Sequence, residues 1–148
     1  MGAETTAGLE QLKALMNAGA ESGTGIGHLL GMTAESLEPG RVVFSLTTRP
    51  EFGNPLGSVH GGILSTLLDS AMACAVHTSL AEGASYTTLE LKVNFVRPVP
   101  TDGSRLVCVG STVHSGRRVA TTEGRITDGA GRLIAHGTST CMVFQPAQ

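Results

Sequence analysis

The sequence predicts an α+β protein in which an antiparallel sheet wraps around one long helix. The apolar residues repeat with a helical period across residues 60–80 and alternate from residue 85 onward. The predicted elements run in the order helix, two strands, long helix, four strands. Six short strands are too few for a sandwich that also buries a helix. We therefore expect one sheet that curves around the long helix.

The N-terminal segment is predicted to form a short helix and a connector. Residues 7–19 carry apolar side chains at helical spacing, namely Leu9, Leu12, Leu15 and Met16. The glycine-rich GAESGTGIG that follows predicts a flexible connector. We therefore divide the chain into residues 1–24, a helix with its linker, and residues 25–148, a single domain.

A hairpin and the long helix come next. Strands over about residues 28–37 and 41–48 are joined through the turn Glu38-Pro39-Gly40. Residues 60–80 carry apolar side chains around most of the helix circumference, so this helix must be covered on nearly all sides. Polar residues interrupt the run and no basic flank follows it, which predicts a buried helix and not a membrane span.

The last part of the chain is predicted to form four strands. In the first of them, apolar side chains alternate with polar ones, as in a strand with one buried face: Leu89, Leu91, Val93 and Phe95. Glycine-containing turns then separate three further strands, at about residues 104–114, 117–127 and 132–144.

Charge is unevenly distributed, although the net charge is only −2. Residues 1–91 hold three bases and nine acids, giving −6, whereas residues 92–148 hold seven bases and three acids, giving +4. A polyanionic ligand would meet the second half, although a solvated basic face explains the same pattern. The bases are scattered and only four Phe and one Tyr are available for stacking, so nucleic acid is not expected as a partner.

The cysteine pattern predicts a cytoplasmic protein. Cys74, Cys108 and Cys141 form no CxxC pair and leave an odd number, which favours a reducing compartment over a disulfide framework. Glu4 and Glu10 stand where a signal peptide would carry bases. No HExxH, Cys/His or DxD spacing indicates a metal, and no cofactor is expected.

Asp69 is the single acid in a long apolar stretch. From Phe52 to Ala81 the chain has 30 residues with no Lys, Arg or Glu and only this Asp. A carboxylate among apolar groups needs a hydrogen-bond partner, and desolvation increases its affinity for a proton, which suits a general base or nucleophile. A structural Asp bonded to the backbone or to Ser70 fits the composition as well.

The start of the same helix is rich in glycine. Gly57 and the pair Gly61-Gly62 bracket His60, and glycines leave first-turn N–H groups open to a ligand oxygen. The helix dipole adds positive potential, so this segment is a candidate oxyanion hole, with a tight loop-to-helix turn as the alternative.

The spacing of these two features predicts a shared site. Gly61 and Asp69 are eight residues apart. In one helix this separation is about 12 Å along the axis, too far for one carbonyl group. Both can act on one substrate only if Gly61 of one protomer meets Asp69 of another, as across a two-fold axis. We therefore expect a homodimer with shared active sites.

The segment NPLGSVHGGILSTLLDSAMACA resembles the signature N-x-x-G-x-x-H-G-G-x6-D of hot-dog-fold acyl-CoA thioesterases, particularly the phenylacetate-degradation and 4-hydroxybenzoyl-CoA thioesterase branch. LKVNFVRPV resembles the strand after the helix in that family, and the similarity covers roughly residues 25–145. This resemblance implies a hot-dog fold, dimers or dimers of dimers, and hydrolysis of a thioester between an acyl group and coenzyme A.

The resemblance also implies roles for individual residues. Asp69 resembles the catalytic carboxylate, acting as general base or nucleophile, and Gly61, followed by Gly62, resembles the residue whose N–H polarises the thioester carbonyl. Asn54 would orient the water or the thioester across the interface, and His60 would support the loop.

A hydroxyl beside the acid is implied as well. Some relatives have one a turn after the acid, where this chain has Ala73. Thr87 would therefore hold the water beside Asp69, and Thr88 is the neighbour to test.

Basic and apolar residues are candidates for binding the two parts of the substrate. Arg97, Arg117 and Arg118 lie near predicted strand ends or turns where they could meet the phosphates of coenzyme A, and a plain solvated hairpin at Arg117-Arg118 is the alternative. For the acyl group, the candidate tunnel residues are Leu56, Met72 and Val76.

Two other functions fit the same fold. A domain of this kind can bind acyl-CoA without hydrolysing it, although no second domain is apparent to carry a signal. An enoyl-CoA hydratase would place a His and an Asp together, whereas His60 and Asp69 have the thioesterase spacing. A hydroxyl or thiol nucleophile is not expected, because Ser65, Thr66 and Ser70 lack a base at suitable helical spacing and Cys74 lies on the helix without an evident activator.

Overall fold

The structure of the protein is a computed structural model, which describes residues 5–147. Its helices are α1 (Ala7–Ser22), α2 (Ile26–Leu30) and α3 (Gly61–His77), with a short 3-10 turn at Pro50–Phe52. Its strands are β1 (Thr33–Glu38), β2 (Arg41–Thr47), β3 (Ser85–Phe95), β4 (Arg105–Ser115), β5 (Val119–Thr127) and β6 (Leu133–Phe144). This confirms the α+β prediction.

The six strands form one antiparallel sheet in the order β1-β2-β4-β5-β6-β3. α3 packs against β2, β3, β4, β5 and β6, so the sheet curves around it as predicted. Six side chains of α3 are completely buried: Leu67, Leu68, Ala71, Met72, Ala75 and Val76. β1 and β3 are the two edges, and the arc of α3 between these edges is not covered by the sheet.

Two glycines bring α3 into direct contact with the sheet backbone. Gly110 of β4 pairs with Gly124 of β5 beneath the middle of the helix. A Cβ on Gly110 would lie 2.4 Å from the Ala71 carbonyl, and a Cβ on Gly124 would lie 2.9 Å from Cδ2 of Leu68. A side chain at either position would therefore push the helix away from the strands.

α1 is attached to the rest of the protein mainly through its first half. The Gly8 N–H donates to the Leu80 carbonyl at 3.1 Å, and a Cβ on Gly8 would lie 2.1 Å from the His77 carbonyl oxygen. Leu9 and Leu12 are buried, whereas Leu15 in the second half is 56% exposed. The helix is therefore fixed at one end and lightly held at the other.

The structure corrects the predicted boundaries of the N-terminal region. α1 continues beyond residue 19 and ends at Gly23, which has φ of 65°. Residues 28–30 were predicted to begin a strand but belong to α2, a single turn closed by Gly31 with φ of 69°. Only Leu30 of this turn is buried, and a half-exposed apolar turn between glycines is not distinguishable from a strand by its composition. The long helix and the other strands lie within three residues of their predicted bounds.

A β-bulge in β3 changes the face on which its residues lie. Thr88 pairs with Cys141 and Glu90 pairs with Thr140, so Leu89 is an extra residue. The predicted alternation therefore fails at Leu89, whose side chain is 53% exposed. Phe95, also predicted to be buried, is 55% exposed because it lies beyond the sheet core at the start of α3.

Among the helices of residues 5–147, none has both the length and the apolar character needed to cross a bilayer.

Candidate active site

The start of α3 presents one open backbone donor. His60 is the N-cap of the helix, and its Nδ1 accepts a hydrogen bond from the Gly62 N–H at 2.8 Å. The Gly61 N–H precedes the hydrogen-bonded turns of the helix and has no acceptor within residues 5–147. The ring of Phe95 borders Gly61 so closely that a Cβ there would lie 2.9 Å from its Cζ. We call Asn54, His60, Gly61, Gly62 and Phe95 the helix-start half-site.

Asn54 organises the loop before the helix. Its Oδ1 accepts from the Leu56 N–H at 2.9 Å and the Ser58 N–H at 3.2 Å, and its Nδ2 donates to Ser58 Oγ at 3.1 Å. Gly57 in this loop has φ of 87°, a conformation that favours glycine. One N–H of the Asn54 amide remains available to a ligand, because the amide group has two donors and one is used here.

Asp69 lies on the uncovered arc of α3 and is half-buried. Its Oδ1 accepts a hydrogen bond from Thr88 Oγ1 at 2.9 Å, and its Oδ2 accepts none from residues 5–147. Ser70 does not donate to it, so the suggested bond to that neighbour is absent within the described residues. We call Asp69 and Thr88 the carboxylate half-site.

The hydroxyl beside the acid belongs to Thr88 and not to Thr87, which corrects the predicted placement. Thr87 is exposed on the opposite face of β3. The bulge at Leu89 is the cause. Odd-numbered residues of β3 face inward after the bulge, whereas even-numbered residues face inward before it. No local signal in the sequence marks this bulge.

Thiols near Asp69 are not candidates for a nucleophile. Burial raises the pKa of Cys74 to about 12, and the negative charge of Asp69 adds to the effect. Burial likewise raises the pKa of Cys141. Both thiols stay protonated at neutral pH, as expected for packing residues.

The two half-sites do not meet within one protomer. Gly61 and Asp69 are the first and ninth residues of α3. Their separation along the helix is about 12 Å, and their directions differ by about 80° around it. One protomer therefore offers an oxyanion donor in one place and a carboxylate in another.

The three candidate phosphate-binding arginines are also separated. Arg97 follows the end of β3, where its Nη1 donates to the Leu133 carbonyl at 3.4 Å. Arg117 and Arg118 line a cleft of about 470 Å³ next to Phe144, which pairs with the first residue of β3. Opposite ends of this 11-residue strand therefore carry the two groups of bases.

The three residues predicted to line an acyl tunnel do not come together within residues 5–147. Met72 and Val76 are 0% exposed and pack in the core, whereas Leu56 is 93% exposed on the loop before α3. The sequence shows that these helix positions are apolar, but it does not show whether neighbouring side chains fill the space beside them. Within residues 5–147, no group of three or more His, Cys, Asp or Glu side chains is placed to hold a metal ion.

The chain matches a family of known proteins. Residues 56–135 match the sequence profile of the thioesterase superfamily. Human acyl-coenzyme A thioesterase 13 is 28% identical over 110 residues, which cover 74% of this chain and 77% of that protein.

Solved structures agree with the sequence matches. A thioesterase family protein from Silicibacter pomeroyi is 30% identical with a TM-score of 0.78, covering 88% of this chain and 95% of that one. The PaaI protein of the E. coli phenylacetic acid degradation operon superposes with a TM-score of 0.79 at 24% identity, covering 91% and 96%.

The chain therefore belongs to the thioesterase superfamily and has the hot-dog fold, as the resemblance implied. Its activity is that of a thioester hydrolase.

Proposed function

We propose that the protein hydrolyses acyl-CoA thioesters to a free acid and coenzyme A at sites formed between two protomers. Gly61 of one protomer binds the carbonyl oxygen through its N–H, and Asp69 of the other activates the attacking water. The observation that carries the proposal is that both groups are open to a ligand but lie too far apart on α3 to act together.

The free edge of the sheet supports a two-fold arrangement. β3 is an edge strand of 11 residues, and long edges of this kind are normally covered or paired. Thr88 lies on this edge and contacts Asp69. Pairing of β3 with its symmetry mate would place the two α3 helices antiparallel, with the start of one beside the middle of the other.

The chemistry requires few groups. A thioester carbonyl is electrophilic, so an oxyanion donor and a carboxylate are sufficient without a Ser-His-Asp triad. Thr88 fixes Oδ1 of Asp69 and leaves Oδ2 to accept the proton of a water molecule. The water then attacks the carbonyl carbon, the C–S bond breaks, and the departing sulfur takes the proton from Asp69, so that coenzyme A leaves as the thiol.

Asp69 could instead attack the carbonyl carbon itself, forming an acyl-enzyme anhydride that water then hydrolyses. A single turnover in ¹⁸O-labelled water detects the second route when water attacks the Asp69 carbonyl of the anhydride, because the label then enters the carboxylate. We expect no label in the Asp69 carboxylate if it acts as the general base.

Charge and relationship support coenzyme A as the carrier. The second part of the chain has a net charge of +4 over residues 92–148, and the human relative is named as an acyl-coenzyme A thioesterase. Arg97, Arg117 and Arg118 are the candidates for the phosphates, with Arg97 and the pair contributed by different protomers if they act on one ligand. The three free cysteines suit a cytoplasmic location.

Replacement of the carboxylate tests the proposal. Asp69→Asn should lower kcat for acyl-CoA hydrolysis by about 10² or more, because it removes a positioned acid-base group. Glu82→Gln, a change of an exposed acid beyond α3, is the matched control and should retain the wild-type rate. Free thiol release from a panel of acyl-CoAs measures hydrolysis directly and excludes a hydratase or a binding module. Wild-type turnover by Asp69→Asn would refute the assignment.

Mixed dimers test the shared site. A dimer of one Asp69→Asn chain and one Gly61→Trp chain contains one intact combination, in which Asp69 and Gly61 come from different protomers. We expect about half of the wild-type activity, whereas either variant alone is inactive. An inactive mixture would show that both groups act within one protomer.

A further inference from the structure

A large cleft beside the active-site helix is not used by the chemistry described above. It has a volume of about 1080 Å³ and lies between the second half of α1, α2, the start of β1 and one side of α3. Its apolar lining consists mainly of Leu15, Met16, Ile26, Met32, Phe44 and Cys74. The polar side chains around it include Lys13, Asn17 and His28.

The cleft begins close to the catalytic carboxylate. Ser70 and Cys74 of α3 form part of its wall. With 100° per residue, Asp69, Ala73, Ser70 and Cys74 follow one another around the helix within an arc of about 140°. The charge of Asp69 also reaches the Cys74 thiol, whose pKa it helps to raise. A group held at Asp69 can therefore continue around the helix into the cleft.

We propose that this cleft binds the acyl part of the substrate and that this part is an aliphatic chain of medium or greater length. The proposal rests on the proposed function, because it needs the thioester to be held at Asp69. It replaces the tunnel predicted from the sequence, whose residues are either packed in the core or fully exposed.

The size and the lining favour an aliphatic chain over an aryl group. A cavity of about 150 Å³ is sufficient for benzene, so this cleft is several times larger than a single ring requires. Phe44 is the only Phe, Tyr or Trp in its lining within residues 5–147. Met16 and Met32 are flexible thioethers that adapt to the shape of a chain, whereas a ring would be held better by aromatic neighbours.

α1 covers the cleft and can adjust to the length of a bound acyl chain. Its first half is fixed by Gly8 and by buried Leu9 and Leu12. Its second half covers the cleft, and Leu15 there is 56% exposed. Ile26 of α2 is 51% exposed, so both side chains have apolar surface left for an aliphatic ligand to bury.

Binding of thioether analogues tests the cleft without any reaction. S-dodecyl-CoA, S-butyl-CoA and S-benzyl-CoA cannot be hydrolysed, and isothermal titration calorimetry measures their affinities for the intact protein. A buried methylene strengthens binding by up to about fourfold, so the dodecyl compound should bind at least about 100-fold more tightly than the butyl compound. Equal affinities for the butyl and dodecyl compounds, or tightest binding of the benzyl compound, would overturn the proposal.

A matched pair of substitutions on α2 tests whether the acyl chain binds in this cleft. Ile26→Trp places a bulky ring in the cleft at a position exposed enough to tolerate it, and should weaken dodecyl binding at least tenfold. Leu29→Trp makes the same change on the same turn, outside the cleft lining, and should stay within twofold of wild type. Equal effects of the two variants would refute this location.

The same protein samples distinguish failure of this inference from failure of the proposed function. If chain-length-dependent binding is found and no thioester is hydrolysed, the cleft is an acyl site and the hydrolase proposal is wrong. If butyryl-CoA and dodecanoyl-CoA are hydrolysed with equal kcat/KM and bound alike, the hydrolase proposal stands and the cleft proposal is wrong.

Discussion

The helix-start half-site and the carboxylate half-site belong to one helix but are held by different kinds of interaction. The first depends mainly on contacts within its own segment, since the His60 side chain caps the helix, and Gly61 leaves room for the Phe95 ring. The second depends on one side-chain hydrogen bond from Thr88, on an edge strand with a bulge. Contacts within one short segment can be predicted from the local sequence, whereas a contact that depends on strand register cannot.

The largest effect is expected from filling the space at Gly61. Gly61→Ala should lower kcat/KM by about 10²-fold, because the added Cβ would lie 2.9 Å from Cζ of Phe95 and displace the oxyanion donor. The double variant Gly61→Ala/Phe95→Leu should recover at least fivefold, since the smaller side chain makes room. Steady-state kinetics on an acyl-CoA measure both. No loss in the single variant would show that the helix start does not bind the carbonyl oxygen.

A smaller loss is expected from the hydroxyl beside the acid. Thr88→Val should lower kcat about tenfold, because Asp69 loses a hydrogen bond to a charged group. Thr87→Val is the matched control one residue away and should change kcat less than twofold, since that side chain lies on the other face. The reverse order of effects would mean that Thr87, and not Thr88, lies beside Asp69.

Removal of the helix cap should affect stability more than the fold. His60→Ala should lower the free energy of unfolding by about 1 kcal/mol, because the Gly62 N–H loses its acceptor. His60→Asn keeps a capping oxygen and should recover most of the loss. Urea denaturation of the three proteins provides the comparison, and equal midpoints for His60→Ala and wild type would contradict a capping role.

The smallest expected effect is a pH dependence of the stability that comes from His77 at the end of α3. Burial lowers the pKa of His77, whose Nε2 lies 3.0 Å from Gln11 Oε1. An unfolded His has a pKa of about 6.5, so the unfolded state takes up the proton first as the pH falls. Stability from His77 should therefore be complete above about pH 6.5 and decrease below it.

Urea midpoints at pH 7.5 and 5.5 measure this dependence. His77→Gln should show a smaller difference between the two pH values than wild type, and exposed His114→Gln should match wild type. An unchanged difference in His77→Gln would exclude this residue as the source.

The sequence was sufficient to predict the architecture and an open backbone donor at the start of α3. Apolar periodicity located α3 and the later strands, and the glycines around His60 located the open donor. It could not choose Thr88 over Thr87, because the register of β3 depends on pairing with β6 and a single extra residue reverses the faces. The apolar turn at Leu30 was misassigned for a related reason, since its conformation is set by the flanking glycines.

The acyl cleft was also beyond the sequence, for a different physical reason. Met72 has a suitable composition for a tunnel wall, yet it is 0% exposed. Whether an apolar side chain faces a void or a neighbour depends on packing between distant elements, here α1, α2 and α3.

The glycines beneath α3 determine which parts of the molecule can move during turnover. Gly110 lies against the backbone of α3 and Gly124 against the side chains of Leu68 and Met72, so α3 has little room to move on the sheet and we expect Asp69 to keep its position when substrate binds. Adaptation to different acyl groups then falls to α1, which is tethered at one end only. The position of the catalytic carboxylate and the choice of acyl group thus depend on separate segments, α3 and α1. We expect that mutations in one segment can change its property without disturbing the other.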